Sequence, residues 1–164
     1  MSQLVLVIDD SATVRKILEV CLRRAGYKVI SFPDGVEAIR WLATPEAFLP
    51  QMVFLDIEMP RMDGYAVAQY LKARPQYSHM VIVMLSARTG ILDRLKGRLA
   101  GADEYLTKPF RTQIILAIVQ TYLGDSPEPI DGLRAQEEAG KPIEHNILTH
   151  GRWHSPFPVL TTCR

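Results

Sequence analysis

Five short apolar runs divide the first 123 residues, and each is followed by a segment whose apolar residues recur at intervals of three and four. Runs that are apolar on both faces are typical of parallel strands covered by helices on both sides. The intervals of three and four indicate amphipathic helices. The pattern therefore predicts five strands that alternate with five helices. The strands are expected at Leu4–Ile8, Tyr27–Phe32, Met52–Leu55, Met80–Leu85 and Glu104–Thr107.

Local signals at the ends of the helical segments support this division. Ser11 stands where a side chain can cap the first helix, and Gly26 can end it in the left-handed conformation. Pro75, Gly101 and Gly124 provide comparable stops for the third, fourth and fifth helices. The apolar positions that mark the five helices lie within Val14–Ala25, Val36–Leu42, Ala66–Leu71, Ile91–Leu99 and Ile114–Tyr122.

This alternation predicts an α/β fold with a doubly wound, five-stranded parallel sheet. Right-handed crossovers leave few topologies, and at this size the flavodoxin-like strand order 2-1-3-4-5 is favoured. Strands 1 and 3 are then neighbours, so Asp9, Asp10 and Asp56 are expected to meet at the carboxyl edge of the sheet. Ser86 and Lys108 follow the fourth and fifth strands to the same edge.

The residues expected at this edge suit phosphoryl chemistry with a divalent cation. Mg²⁺ prefers oxygen ligands, which Asp10, Asp56 and a backbone carbonyl just after Asp56 would supply, while Asp9 could act through a bound water. Asp56 ends its strand alone and is the better candidate for a nucleophile that forms an aspartyl-phosphate. The donors available to the phosphoryl group are the metal, Lys108, the Ser86 hydroxyl and the Ala87 N–H.

Each of these residues also has a purely structural interpretation. An Asp-Asp pair after a strand often caps a helix, Ser86 could belong to a turn, and Lys108 could be a solvated lysine. Tyr105 could be a half-buried strand tyrosine. Their joint occurrence at successive strand ends favours one shared site.

Composition narrows the class of protein. Apolar residues make up 48% of the chain and charged residues 23%, as in ordinary soluble globular proteins. The formal charge of +1 gives no general reason to expect nucleic acid or a membrane surface as a partner. No apolar run approaches the ~20 residues of a membrane span, and the first residues do not resemble a signal peptide. With Cys21 and Cys163 as its only cysteines, the chain is expected to be cytoplasmic and without a disulfide.

The character of the sequence changes at Gly124. Residues 1–123 are expected to form one domain, and residues 124–164 a linker and a disordered tail with six acidic and four basic residues. The tail offers two minor candidates. One is a metal site at His145, His150, His154 and Cys163, for which the surrounding sequence provides no scaffold, and the other is a docking peptide through Trp153 and Phe157.

Four segments resemble the receiver domain of two-component response regulators, and the resemblance covers roughly residues 3–123. They are VIDDS, FLDIEMPRMDGY, VMLSA and YLTKPF. The resemblance implies that Asp56 is the phospho-acceptor and that Asp9 and Asp10 are the acidic metal pair. It further implies roles for Glu58, whose carbonyl would ligate Mg²⁺, for Ser86 as the switch hydroxyl, for Lys108 as the phosphate-binding lysine and for Tyr105 as the aromatic switch. The stretch MLSARTGILDRLKGRLAGADEYLTKPF is similar to receivers of type IV pilus twitching-motility systems.

A receiver would take a phosphoryl group from a histidine kinase or a phosphotransfer protein and would signal by protein contact rather than by enzymatic turnover. Phosphorylation would draw Ser86 inward, Tyr105 would rotate into the vacated space, and the face formed by helix 4, strand 5 and helix 5 would change shape. Glu58 and Arg88 lie two residues beyond Asp56 and Ser86, so we expect them to tune the lifetime of the phosphate. The basic residues of the same face either are solvated or bind an acidic partner; they are Arg88, Arg94, Lys96 and Arg98.

Two functions of other classes remain open. A Mg²⁺-dependent phosphohydrolase could use Asp56 as its nucleophile, although such enzymes typically carry a second Asp where this chain has Glu58. An interaction module that works without phosphorylation would not depend on Asp56. A nucleotide-binding P-loop protein is excluded because the Gly-Lys-Ser/Thr loop is missing.

Overall fold

A single parallel sheet organises the computed structural model, which describes residues 3–44 and 47–124. The strand order is β2-β1-β3-β4-β5, so the predicted fold class and topology are confirmed. The strand bounds differ from the prediction by at most one residue at either end. The strands are β1 (Leu4–Ile8), β2 (Lys28–Phe32), β3 (Met52–Asp56), β4 (Val81–Ser86) and β5 (Glu104–Thr107).

Helices follow each strand, and side-chain caps explain where three of them begin. The Ser11 hydroxyl accepts from the Val14 N–H, and Asp34 and Asp63 cap the second and third helices in the same way. The bounds are α1 (Ala12–Arg24), α2 (Gly35–Leu42), α3 (Gly64–Lys72), α4 (Ile91–Leu99) and α5 (Thr112–Leu123). A short 3₁₀ turn at Pro75–Tyr77, which the sequence pattern did not indicate, follows α3.

Two apolar layers enclose the sheet. Leu6 and Ile8 of β1 pack into the layer that contains residues of α2 and α3, whereas Val5 and Val7 pack into the layer that contains residues of α1 and α5. This alternation is expected because successive strand side chains point to opposite faces. The central strands β1 and β3 are buried along their whole length, while β2 and β5 at the edges are partly exposed.

Helix α4 departs from the expected amphipathic packing. Its periodic residues Ile91, Leu95 and Leu99 predicted the helix, but they are 85%, 47% and 78% exposed. The residue of α4 that is buried against the sheet is Gly97. The apolar periodicity thus predicted the helix correctly, but the apolar residues do not form the face of the helix that packs against the core.

Within the described residues, no helix is both long enough and apolar enough to cross a membrane. Residues 125–164 lie outside the described residues. The predictions for this segment, including the histidine and cysteine candidates and the aromatic docking peptide, therefore remain predictions.

Candidate functional site

The carboxyl edge of the sheet brings the predicted site residues together. Asp9 and Asp10 follow β1, Asp56 is the last residue of β3, and Ser86 is the last residue of β4. The register pairs Ile8 with Leu55, Asp56 with Leu85 and Ser86 with Thr107. Three neighbouring strands and the loop after β5 therefore deliver their polar side chains at the same level of the sheet.

Three carboxylates form the centre of the site. One oxygen from each of Asp9, Asp10 and Asp56 lies within 4.8 Å of the other two. Asp9 and Asp56 are buried and Asp10 is exposed, so the cluster opens to solvent on one side. A group of hard oxygen donors that is accessible from one side fits a small divalent cation that keeps part of its water shell.

Lys108 reaches into this cluster from the loop after β5. Its Nζ lies 2.7 Å from Oδ2 of Asp9 and 3.1 Å from Oδ1 of Asp56. Burial lowers the pKa of Lys108, but the ion pairs with the two carboxylates outweigh it, and the pKa lies above its ordinary value. The ammonium is therefore charged and offsets part of the carboxylate charge.

Asp56 has the most perturbed acidity at the site. Burial, followed by the charge of Asp9, raises the pKa of Asp56 from 3.8 to about 6, although the Lys108 ammonium acts in the opposite direction. The carboxylate also accepts a hydrogen bond from the Glu58 N–H at 3.4 Å. At neutral pH Asp56 is ionised in an environment that disfavours its charge, which is the condition in which an added cation is attracted most strongly.

A chain of hydrogen bonds leads from Ser86 to Tyr105. The Ser86 hydroxyl accepts from the Arg88 N–H at 2.9 Å, and the Tyr105 hydroxyl donates to the Arg88 carbonyl at 3.1 Å. The Tyr105 ring is buried, with the Arg94 guanidinium 5.6 Å from the ring centre. In this structure the tyrosine already lies inward, and the Arg88 backbone joins it to the end of β4.

The family of the chain follows from a comparison with known families. A family model described as the response regulator receiver domain matches residues 5–120. The chain belongs to this family. The predicted resemblance is thereby confirmed, and the site just described lies at the carboxyl edge of a receiver domain.

Curated relatives include one short protein and several longer ones. Protein PilG of Pseudomonas aeruginosa is 37% identical over 129 residues, which cover 79% of this chain and 93% of PilG. The probable transcriptional regulator ycf27 of Porphyridium aerugineum is 41% identical over 119 residues. That alignment covers 73% of this chain and 47% of ycf27, so the chain spans about half the length of such a relative.

Solved structures of other receivers have the same architecture. The chemotaxis response regulator CheY4 of Vibrio cholerae matches with a TM-score of 0.69 and 29% identity, over 74% of this chain and 99% of that chain. The receiver domain of a sensor histidine kinase from Pseudomonas aeruginosa matches with a TM-score of 0.67 and 28% identity, over 76% and 99% of the two chains. The latter structure contains a magnesium ion coordinated in its active site cleft.

In this receiver domain Glu58 and Arg88 form a direct ion pair. The Arg88 Nε lies 2.6 Å from a Glu58 carboxylate oxygen, and an Arg88 Nη atom lies 3.6 Å from Asp93. Glu58 follows β3 and Arg88 follows β4, so the pair links the loops after two adjacent strands. The sequence indicated both positions but not their pairing.

Two further residues support the receiver site without having been predicted. The Arg15 guanidinium donates to the carbonyls of Asp9 and Asp10 at 2.7 and 3.1 Å, which holds the backbone of the acidic pair. Gly64 lies against the end of β3, where an added Cβ would be 2.3 Å from the Asp56 carbonyl oxygen. The sequence signal for Arg15 was its position near the start of the helix that follows the acidic pair. The signal for Gly64 was the presence of a glycine eight residues after Asp56.

Proposed function

We propose that this receiver domain is a response regulator of a two-component phosphorelay, phosphorylated on Asp56 in a Mg²⁺-dependent reaction. The donor is a phosphohistidine of a kinase or phosphotransfer protein. An Asp56 carboxylate oxygen forms the new bond to phosphorus, the bond from phosphorus to the histidine nitrogen breaks, and the imidazole leaves with the electron pair. The observation that carries the proposal is the buried Asp56 carboxylate, 3.1 Å from the Lys108 ammonium at the end of a central strand.

The other carboxylates fit the role of a metal site. Asp9, Asp10 and Asp56 would hold Mg²⁺ together with the Glu58 carbonyl, and the bound ion would neutralise charge on the phosphoryl oxygens. Lys108 already bridges Asp9 and Asp56, so it is placed to shift toward a phosphoryl oxygen when one arrives. The Ser86 hydroxyl and the Ala87 N–H complete the set of donors.

The signal would leave the site through Ser86 and Tyr105. Movement of the Ser86 hydroxyl toward the phosphate breaks its bond to the Arg88 N–H, and the Arg88 carbonyl carries the change to the Tyr105 hydroxyl. The inward position of Tyr105 would thereby be favoured, and the face of α4, β5 and α5 would be remodelled for a downstream protein. Membership in the receiver family and similarity to a chemotaxis regulator support signalling by protein contact in motility or chemotaxis-like control.

Acetyl phosphate treatment followed by intact mass measurement tests the proposal. The wild-type chain should gain one phosphoryl group with Mg²⁺ and little without it, and Asp56→Asn should gain none. Asp10→Asn tests the metal site separately, because it keeps the acceptor and removes an exposed carboxylate; it should gain the phosphoryl group more slowly than the wild type at the same Mg²⁺ concentration. A full mass gain on Asp56→Asn would overturn the assignment.

Further measurements on the wild type and on Asp56→Asn distinguish the two rival functions. A phosphohydrolase would release phosphate from esters over many turnovers, whereas a receiver takes up a single stoichiometric phosphoryl group. An interaction module that does not need phosphorylation would bind its partner equally well as Asp56→Asn and as the wild type treated with phosphodonor. Under the present proposal, only the wild type gains affinity on that treatment.

The ion pair of Glu58 with Arg88 is proposed to set the lifetime of the phosphate by bordering the path of attacking water. Glu58→Ala and Arg88→Ala should each change the dephosphorylation rate at least about threefold, and the double variant should differ little from either single one, because paired residues are not additive. The rate is read from the decay of the phosphorylated mass after removal of the donor. Arg98→Ala, on the face of α4, β5 and α5, is the control and should leave the rate unchanged. Unchanged rates in Glu58→Ala, Arg88→Ala and the double variant would refute this role.

A further inference from the structure

A shallow groove lies between α1 and α5, and none of the candidate phosphorylation-site residues is part of its lining. Its volume is about 530 Å³, and its floor includes Ile17, Val20 and Cys21 of α1 and Leu116 of α5. Ile17 and Val20 are 45% and 36% exposed, although they stand on the helix that otherwise packs against β2 and α5. The groove therefore offers apolar surface that the described residues do not cover.

The rim of this groove is basic. Lys16 and Arg24 stand at its two ends, and α1 as a whole has four basic residues and one acidic residue. Helix α5 contributes no charged residue between Thr112 and Leu123. An occupant with apolar side chains and acidic flanks would match both the floor and the rim.

The chain leaves the described domain beside this groove. The Gly124 carbonyl accepts a hydrogen bond from the Tyr27 hydroxyl at 3.0 Å, and the Leu123 carbonyl accepts one from the Gln3 side chain at 2.8 Å. Tyr27 comes two residues after Ala25, which lines the groove next to Arg24. The segment after Gly124 thus starts at the Arg24 end of the groove.

The length of the following segment is sufficient to cover the groove. From Lys16 to Arg24 the helix rises by roughly 12 Å, at 1.5 Å per residue. An extended chain covers this distance in about four residues. Residues 125–138 contain five acidic residues and one basic residue, together with the apolar Ile130 and Leu133.

We propose that residues 125–138 bind back along the α1–α5 groove, with Ile130 and Leu133 on its apolar floor and the acidic residues near Lys16 and Arg24. The covalent connection gives this segment an effective concentration in the millimolar range, which an external partner would have to exceed. A second copy of the chain is a poorer occupant, because it would bring another basic α1 against the same rim. This contact does not depend on phosphorylation of Asp56.

Cys21 provides the test, because its thiol lies in the groove and residues bound there would shield it. The experiment uses the full chain with Cys163→Ser, so that alkylation by N-ethylmaleimide, followed by intact mass, reports Cys21 alone. Burial raises the pKa of Cys21, so all rates are compared at one fixed pH near 8. The double variant Ile130→Asp, Leu133→Asp should be alkylated at least about fivefold faster, while the control Phe157→Asp should keep the parent rate.

Charge reversal provides a second arm. Lys16→Glu on the rim should also accelerate alkylation, as should 0.5 M NaCl in the parent chain, whereas Arg40→Glu, an exposed position on α2 at the other face of the sheet, should not. Urea unfolding midpoints of all variants are measured so that any acceleration is assigned to the groove and not to global unfolding.

Two results would overturn the proposal. Equal alkylation rates in the parent and in the Ile130→Asp, Leu133→Asp variant would mean that this segment does not cover the groove. Protection that increases with protein concentration, with a dimer in analytical ultracentrifugation, would assign the groove to a second copy instead. Because neither measurement uses phosphate, both are independent of whether Asp56 is phosphorylated.

Discussion

Helices α3 and α4 cover the same face of the sheet, yet they are held to it in different ways. Helix α3 is capped by Asp63, and Val67, Ala68 and Leu71 are fully buried. Helix α4 has Gly90 as its N-cap and so lacks a side-chain cap, and its large apolar residues Ile91, Leu92, Leu95 and Leu99 are all exposed. One helix is thus anchored by apolar burial, whereas the other contacts the core mainly through Gly97 and through Ala100, which follows its last residue.

This difference corresponds to the two halves of the site. Helix α3 follows the strand that ends in Asp56, and α4 follows the strand that ends in Ser86. Well-buried elements hold reacting groups in place, while elements with few buried apolar contacts open or shift at lower free energy cost. Asp56, the proposed acceptor, therefore stands on the rigid side and Ser86, the proposed switch, on the side that can move, and we expect the exposed apolar residues of α4 to be available to a partner.

Adding a methyl group to one glycine of each helix should have very different effects on stability. Gly64→Ala should lower the free energy of unfolding by about 3 kcal/mol, because the added Cβ would meet backbone atoms that cannot yield without a main-chain shift. Those atoms are the Asp56 carbonyl oxygen at 2.3 Å and the Ile57 Cα at 2.8 Å. Urea unfolding of the full chain gives the value.

The matched change on α4 should have a much smaller effect. In Gly97→Ala the nearest atoms would be the sulfur of Met84 at 3.0 Å, near the end of a flexible side chain, and Cδ2 of the Tyr105 ring at 3.2 Å, and neither is a backbone atom. Crowding there is offset by roughly 1 kcal/mol of helix propensity, so the net change should stay within about 1 kcal/mol. Equal losses from Gly64→Ala and Gly97→Ala would show that α3 and α4 are packed equally tightly.

The charge of Asp56, at the end of the strand before α3, should have an effect on the free energy of unfolding that is intermediate in size. Because burial raises its pKa to about 6, the folded state binds a proton that the unfolded state has released, and stability falls as the pH rises from about 4 to about 6. Without metal at pH 7.5, Asp56→Asn should therefore be more stable than the wild type, by about 1–3 kcal/mol. The gain should shrink as the pH falls through 6 and vanish below about 4.

Urea unfolding at several pH values, with and without Mg²⁺, measures this effect. Under the proposed function, added Mg²⁺ should stabilise the wild type more than Asp56→Asn, since the ionised carboxylate would be one of the ligands of the ion. A stability difference between the two proteins that does not change from pH 4 to pH 7.5 would contradict the raised pKa of Asp56.

The smallest effect on stability is expected from substitutions of the basic residues of α4. Arg94→Glu with Arg98→Glu should change the free energy of unfolding by no more than about 1 kcal/mol, chiefly through the lost contact of Arg94 with the Tyr105 ring. If this face binds an acidic partner, the affinity of the phosphorylated chain for that protein should fall by about tenfold. Lys28→Glu on β2, at the opposite edge of the sheet, is the control, and an unchanged affinity in the double variant would assign the basic residues to solvation alone.

The alternation of strands and helices could be predicted from the chain, because it depends on local periodicity and local caps. The Ser11 cap and the stop at Gly26 were visible for the same reason. The site was also predictable, since parallel strands must end at one edge and the residues after β1, β3, β4 and β5 were known from the chain order.

Which surfaces are covered and which charges meet depends on contacts between elements that are distant in the chain. The period of α4 defined an apolar stripe, but a helix period cannot say which face finds a neighbour, and here Gly97 faces the sheet while Leu99 faces solvent. The ion pair of Glu58 with Arg88 and the bonds from Arg15 to the acidic pair join residues through the spatial order of strands and helices. The raised pKa of Asp56 likewise depends on burial, which exists only once the two layers have closed over the sheet.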